Sequence, residues 1–163
     1  MKSRITDRKC LLRLEDQLCF ALYSTSRAFT KQYSILLEEM GITYPQYLTL
    51  MVLWQKDGIL IQEIASNLEI EGATATPMVQ RLEKLGLVTR VRSQEDERRV
   101  NVFLTEKGRS FYKKALSIPE SLGCVTGVDA KLARRLIDEL NTIKLNMESE
   151  HEMTEKSPAK RRA

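Results

Sequence analysis

The chain has 163 residues, 42% of them hydrophobic and 29% charged, with a formal net charge of +4, which fits one ordinary soluble domain and is too short for two large ones. No apolar run approaches the ~18 residues that a membrane span requires, and residues 1–10 mix basic and polar side chains without the apolar stretch of a secretory signal, so a reducing cytoplasm is expected. The three cysteines form no CxxC or Cys/His cluster, and the one histidine, His151, sits in a polar tail; no metal or other cofactor is expected, and an odd thiol count argues against a secreted disulfide framework.

In chain order, residues 11–40 contain neither proline nor glycine, and Leu14, Leu18 and Leu22, then Phe29, Tyr33, Leu37 and Met40, recur at helical spacing. One long helix ending at Gly41 is predicted. Thr43-Tyr44-Pro45-Gln46 has the form of a capping box, with proline tolerated in the first turn, and opens a second helix running to about Lys56. After Asp57-Gly58, Ile61, Ile64, Ala65 and Leu68 mark a short amphipathic helix. A break over Glu69–Gly72 and a further helix to Leu85, closed by Gly86, complete a helix-turn-helix. At about 100° per residue the last of these helices turns Met78, Leu82 and Leu85 inward and Ala73, Thr76, Gln80 and Lys84 outward.

Val88 to Arg92 and Val100 to Leu104 flank a charged turn, Ser93 to Arg98, and read as a two-stranded hairpin. A helix-turn-helix followed by a basic hairpin is a winged helix, so the fold class is mainly α with a small β-hairpin wing. The charge agrees. Residues 81–114 carry 10 basic and 5 acidic side chains, an excess confined to one segment as in nucleic-acid-binding proteins. Thr105 caps another helix to about Leu116; Pro119, Gly123 and Gly127 mark an irregular stretch; and a last helix starts near Asp129 with Leu132, Leu136, Leu140, Ile143 and Met147 as its apolar stripe. That stripe and the first helix offer more apolar surface than one small winged helix buries, so a homodimer is expected. The expected organisation is 11–42 and 106–147 as dimerisation helices, 43–105 as the DNA-binding winged helix, and 148–163 as a disordered tail.

The exposed helix would enter a major groove of double-stranded operator DNA, with Thr76 and Gln80 as candidates for base edges, and Thr74 and Arg81 as flanking contacts. Arg90 and Arg92 are expected to meet phosphates. The stretch from Asp96 through Arg98 to Leu104-Thr105 resembles the wing of the MarR family of transcriptional regulators. That resemblance implies that Arg98 reaches an adjacent minor groove, that Asp96 holds the wing in shape, and that a dimer reads a roughly palindromic operator.

Within that family, Asp16 to Ser24 and Thr43 to Tyr47 resemble the organic-hydroperoxide-sensing branch. The resemblance implies a peroxide-reactive thiol at Cys19, surrounded by tyrosines at Tyr23, Tyr33 and Tyr44. Tyr23 lies one turn from Cys19, but Tyr33 is 14 residues away, about 21 Å along a continuous helix, so it can serve only the partner's thiol. Cys124 resembles the resolving cysteine of two-cysteine members and implies an inter-subunit Cys19–Cys124 disulfide that releases DNA, with Cys10 a rival resolver. Three other functions remain open: the same fold responding to a small aromatic ligand, a thiol peroxidase, and an architectural DNA binder without a ligand. A regulator rather than an enzyme is the reading preferred, since a peroxidase leaves the basic wing without a purpose.

Overall fold

The computed structural model describes residues 12–92 and 99–155, with side chains as far as residue 149. Seven helices occur among the described residues: α1 Leu18–Leu36, α2 Tyr44–Gln55, α3 Ile61–Asn67, α4 Gly72–Lys84, α5 Glu106–Ala115, α6 Ile118–Thr126 and α7 Ala130–Glu155. Three strands accompany them, β1 Ile59–Leu60, β2 Val88–Arg92 and β3 Val100–Leu104, in the antiparallel order β1-β3-β2. Both strands of the wing have the bounds expected from β-branched alternation. The third strand, β1, was not expected, because two residues are too short a run to show alternation.

The single helix expected over 11–40 is divided. A 3-10 turn at Leu14–Asp16 precedes α1, and a second at Glu38–Met40 follows it before Gly41 turns left-handed at φ 65°. The tighter final turns carry Leu37, Met40 and Ile42 into the core, where all three are buried. At Thr43 the predicted capping box forms: Gln46 Oε1 accepts from the Thr43 N–H at 2.8 Å, satisfying a donor that a helix start otherwise leaves orphaned.

Contacts divide the chain into two compact units, residues 1–118 and 119–163. The core of the first unit gathers Leu50 and Leu53 of α2, Ile64 of α3, Val79 and Leu82 of α4, Leu87, Val88 and Val102, each at most 1% exposed. Full burial of a side chain of this size contributes about 1.5–3 kcal/mol. Phe111 and Ala115 of α5 are buried there as well, and Trp54 Nε1 donates to the Gly108 carbonyl at 3.0 Å. Helix α5, expected in the dimerisation region, therefore packs on the winged-helix core.

In the second unit, the irregular stretch expected around Pro119, Gly123 and Gly127 is instead helix α6. Pro119 falls in the first turn, where its missing N–H is not needed, and Gly127, at φ 66°, marks the stop. Asp129 opens α7 as expected, its Oδ1 accepting from the Leu132 N–H at 2.7 Å. Helix α7 continues to Glu155, so the tail expected from 148 onward is helical for its first eight residues; the remainder, 156–163, lies outside the described residues.

Candidate nucleic-acid interface and thiol site

Helix α3, a turn and helix α4 form the helix-turn-helix. The turn is closed by the Ile70 N–H donating to Ala65 O at 3.0 Å, with Glu69 left-handed at φ 54°. The buried face of α4 is Ala75, Val79 and Leu82, rotated by about one position from the Met78, Leu82 and Leu85 face read from the sequence. Met78 is half-buried, and Leu85 caps the helix end at 38% exposure. Ala73, Thr74, Gln80, Arg81 and Lys84 stand exposed on the other side. Thr76 is half-buried, and its hydroxyl donates to the Gly72 carbonyl at 2.9 Å.

Antiparallel pairing puts Val88, Arg90 and Arg92 on the same face of the hairpin as Leu104, Val102 and Val100. Val88, Val102 and Leu104 are buried, so this face turns towards the core, and Arg90 turns with it. Glu83 of α4 meets it there. Glu83 Oε2 accepts from Arg90 Nε at 2.8 Å and Nη2 at 2.7 Å, and Oε1 accepts from the Arg90 N–H at 3.1 Å. The Arg90 side chain holds the Glu83 carboxyl below its ordinary value. Arg92, farther along β2, is exposed. Asp96 and Arg98 lie outside the described residues.

Cys19 stands exposed in the first turn of α1, and Cys124 is exposed on α6; Cys10 lies outside the described residues. One turn beyond Cys19, the Tyr23 hydroxyl accepts from Arg27 Nη1 at 2.9 Å, a contact that sequence spacing could have revealed at i, i+4. Tyr33 and Tyr44 come together at the other end of α1, ring centroids 4.1 Å apart and stacked. Behind them Tyr47 packs 5.9 Å from Tyr33 and 6.0 Å from Trp54, which meets Tyr112 at 5.6 Å. Because α1 is unbroken between residues 18 and 36, the tyrosine pair is some 20 Å from the thiol of its own chain.

Burial, then the neighbouring phenols of Tyr44 and Tyr47, pushes Tyr33 up to about 12, and burial raises Tyr44 and Tyr47 as well. All three are neutral hydroxyl donors near neutrality. The fold favours the neutral phenol, so the stability contributed by Tyr33 is intact below its ordinary value near 10 and is lost as pH rises from there through about 12. In an alkaline titration, tyrosinate absorbance from these residues should rise only above pH ~10 and together with loss of the circular dichroism of the fold. A set of early, fold-independent ionisations at Tyr33, Tyr44 and Tyr47 would contradict their burial.

The helix-turn-helix with its hairpin wing on a three-stranded sheet defines a winged-helix transcriptional regulator, the fold class the sequence predicts. The family described as transcriptional regulator SarA/Rot matches residues 31–115, and the chain belongs to it. It is 47% identical over 111 residues to the organic hydroperoxide resistance transcriptional regulator of Bacillus subtilis, covering 68% of this chain and 76% of that protein. To the HTH-type transcriptional regulator TtmR of Methylorubrum extorquens it is 43% identical over 131 residues, covering 80% and 67%. The structure of reduced AbfR bound to DNA matches with a TM-score of 0.72 at 32% identity, over 85% of this chain and 96% of that one. Disulfide-formed AbfR matches with a TM-score of 0.57 at 32% identity, over 83% and 95%. These relatives are transcriptional regulators and not enzymes. No helix among the described residues is long and apolar enough to cross a membrane.

Proposed function

We propose that the protein is a homodimeric repressor that leaves its operator DNA when an organic hydroperoxide oxidises Cys19. The observation that carries this reading is the stacked Tyr33–Tyr44 pair at the end of α1 opposite the exposed Cys19. A second copy running antiparallel along α1 brings its tyrosine pair to the first copy's thiol, and the reverse. The exposed Leu18 and Leu22 on α1, and Leu136, Ile137, Leu140 and Ile143 on α7, are the apolar surface such a dimer would cover.

Neutral phenols donating to sulfur favour the thiolate, which attacks the distal peroxide oxygen. The O–O bond breaks, sulfur gains the oxygen as sulfenic acid, and the alkoxide takes a proton to leave as alcohol. Condensation with the Cys124 thiol of the partner then forms a disulfide and releases water. The relative from Bacillus subtilis is an organic hydroperoxide resistance regulator, and AbfR has been captured both reduced on DNA and disulfide-formed; both facts support the reading. In a gel-shift titration on the DNA upstream of its own gene, binding should be lost with cumene hydroperoxide and return with dithiothreitol. Binding indifferent to the peroxide sinks the sensing claim, and no preference over random duplex sinks the repressor claim.

On this reading the exposed face of α4 lies in the major groove, where Gln80, Thr74, Arg81 and Thr76 face the DNA, and Arg92 and Arg98 meet the backbone and minor groove. Arg90 has a different part. Its guanidinium is committed to Glu83, so it sets the spacing between recognition helix and wing. Arg92→Ala should reduce the slope of log affinity against log salt by about 1, as a lost phosphate contact does, whereas Arg90→Ala should weaken binding with the slope unchanged. A slope change for Arg90→Ala equal to that for Arg92→Ala would return it to the phosphate contacts.

A further inference from the structure

The Asp57-Gly58 pair lies just beyond α2 and its cap Lys56, and in the sequence it marks only the gap before the next helix. In the fold, one carboxylate there gathers three elements. Asp57 Oδ1 accepts from the N–H of Leu104, the last residue of β3, at 2.8 Å, and from the N–H of Gly58 at 3.0 Å. Asp57 Oδ2 accepts from Arg109 Nη2 of α5 at 2.6 Å. The Gly58 N–H also donates to Val102 O at 3.0 Å. Gly58 itself is left-handed at φ 74°, and a Cβ placed on it would meet the Phe103 ring at 2.6 Å. A side chain there would be strained by that φ and would push the Phe103 ring aside.

We infer that Asp57 is a positioning residue for DNA recognition, the group that fixes the angle at which the wing leaves the body of the winged helix. The inference rests on the DNA-binding reading above. Strand β1, which otherwise roots the wing from this side, pairs over two positions, Ile59 with Val102 and Leu60 with Asn101. That is a short hinge for a hairpin of five residues per strand. Leu104 is both the root of β3 and the partner of Val88 in β2, and the next residue, Thr105, caps α5 by accepting from the Gly108 N–H at 3.1 Å. A bond to the Leu104 N–H therefore anchors both strands and the following helix. The Asp57 side chain is 30% exposed, and bonds accepted by a partly screened carboxylate are stronger than neutral ones. Without it the Leu104 N–H loses its acceptor and the wing keeps its own hairpin bonds but swings at the root.

Hydroxyl-radical footprinting of the full-length protein, on the DNA upstream of its own gene, separates positioning from mere folding. Wild type should protect a central block, covered by the recognition helices, and flanks covered by the wings. Asp57→Ala, and Asp57→Ser, which suits a turn but is too short to span to Leu104 and Arg109, should bind about tenfold more weakly. At protein concentrations adjusted to equal occupancy, both should keep the central block and lose the flanks. Flanks retained at equal occupancy in either folded variant overturn the inference, as does failure of both variants to give the wild-type fluorescence of Trp54, which would make the role one of folding alone. A wild type with no footprint on any duplex overturns the DNA-binding reading itself, a result distinct from either of these.

Discussion

Replacing Cys19 by serine should abolish the response to organic hydroperoxide while leaving the DNA affinity of the reduced protein within about twofold, because the exposed thiol contributes no core packing. Serine matches the shape of cysteine, but its hydroxyl is not oxidised to a species that condenses with a thiol. If oxidation shifts the wild type between binding and non-binding states by the usual coupling of about 5–150-fold, that ratio should collapse to 1 in the variant. Release of Cys19→Ser by peroxide would remove the thiol from the mechanism. The inter-subunit arrangement has its own test, in mixed dimers of one Cys19→Ser chain with one Tyr33→Phe chain. If each thiol is served by the tyrosines of the partner, the mixed dimer has one intact site, made of Cys19 from the second chain and Tyr33 from the first. If the site lay within a chain, it would have none. Peroxide should therefore modify the mixed dimer at close to the wild-type rate per intact site, and slow reaction like that of Tyr33→Phe alone would refute the shared site.

What could be read in advance follows the range over which each signal acts. Helices set by caps and periodicity were legible: the Thr43–Gln46 box, the Thr105 cap and the alternation of the wing all concern residues within a few positions of one another. The phase of α4 differs by one position from the sequence pattern, since Met78 looks like the larger core residue whereas the buried ones are Ala75, Val79 and Leu82. The stretch holding Cys124 looked irregular because proline and glycine suggest breaks, whereas Pro119 sits in a first turn and α6 forms around it. At the thiol site, sequence spacing already separated Tyr33 from Cys19; that Tyr44 joins Tyr33 at the same end is a contact between helices and could not be read from spacing. Glu83 with Arg90, seven residues apart, and Asp57 with Arg109, 52 apart, belong to the same class. Their charges were visible in the sequence as surface charge, and their partners only in the fold.

Gly108→Ala should be the most damaging of the Gly→Ala changes. Alanine is ordinarily the better helix residue, by about 1 kcal/mol over glycine, and in the sequence Glu106-Lys107-Gly108-Arg109 glycine looks like a weak point of α5. The fold reverses that expectation. A Cβ on Gly108 would collide with the backbone carbonyl of Leu87 and stand 3.1 Å from Leu104 Cδ2, and a carbonyl in the core has no rotamer by which to move aside. Leu87 O is also the acceptor for the Thr105 N–H at 3.1 Å, and Gly108 O that for Trp54 Nε1 at 3.0 Å. Pushing α5 away thus strains the bonds that join its N-terminal end to Leu87, the residue before β2, and to Trp54 of α2. Overpacking of this kind costs about 1–3 kcal/mol, and the upper end is expected because the obstacle is main chain. For a chain of this size that lowers the melting temperature by about 6–12 °C, measurable by circular dichroism or by the fluorescence of Trp54. Since Trp54 lies in the aromatic run that leads to Tyr47 and Tyr33, the variant should also red-shift that fluorescence before global unfolding. A melting temperature at or above wild type, as helix propensity alone predicts, would show that α5 can stand off from Leu87 without cost, and that the close packing of α5 on the wing root contributes little to stability.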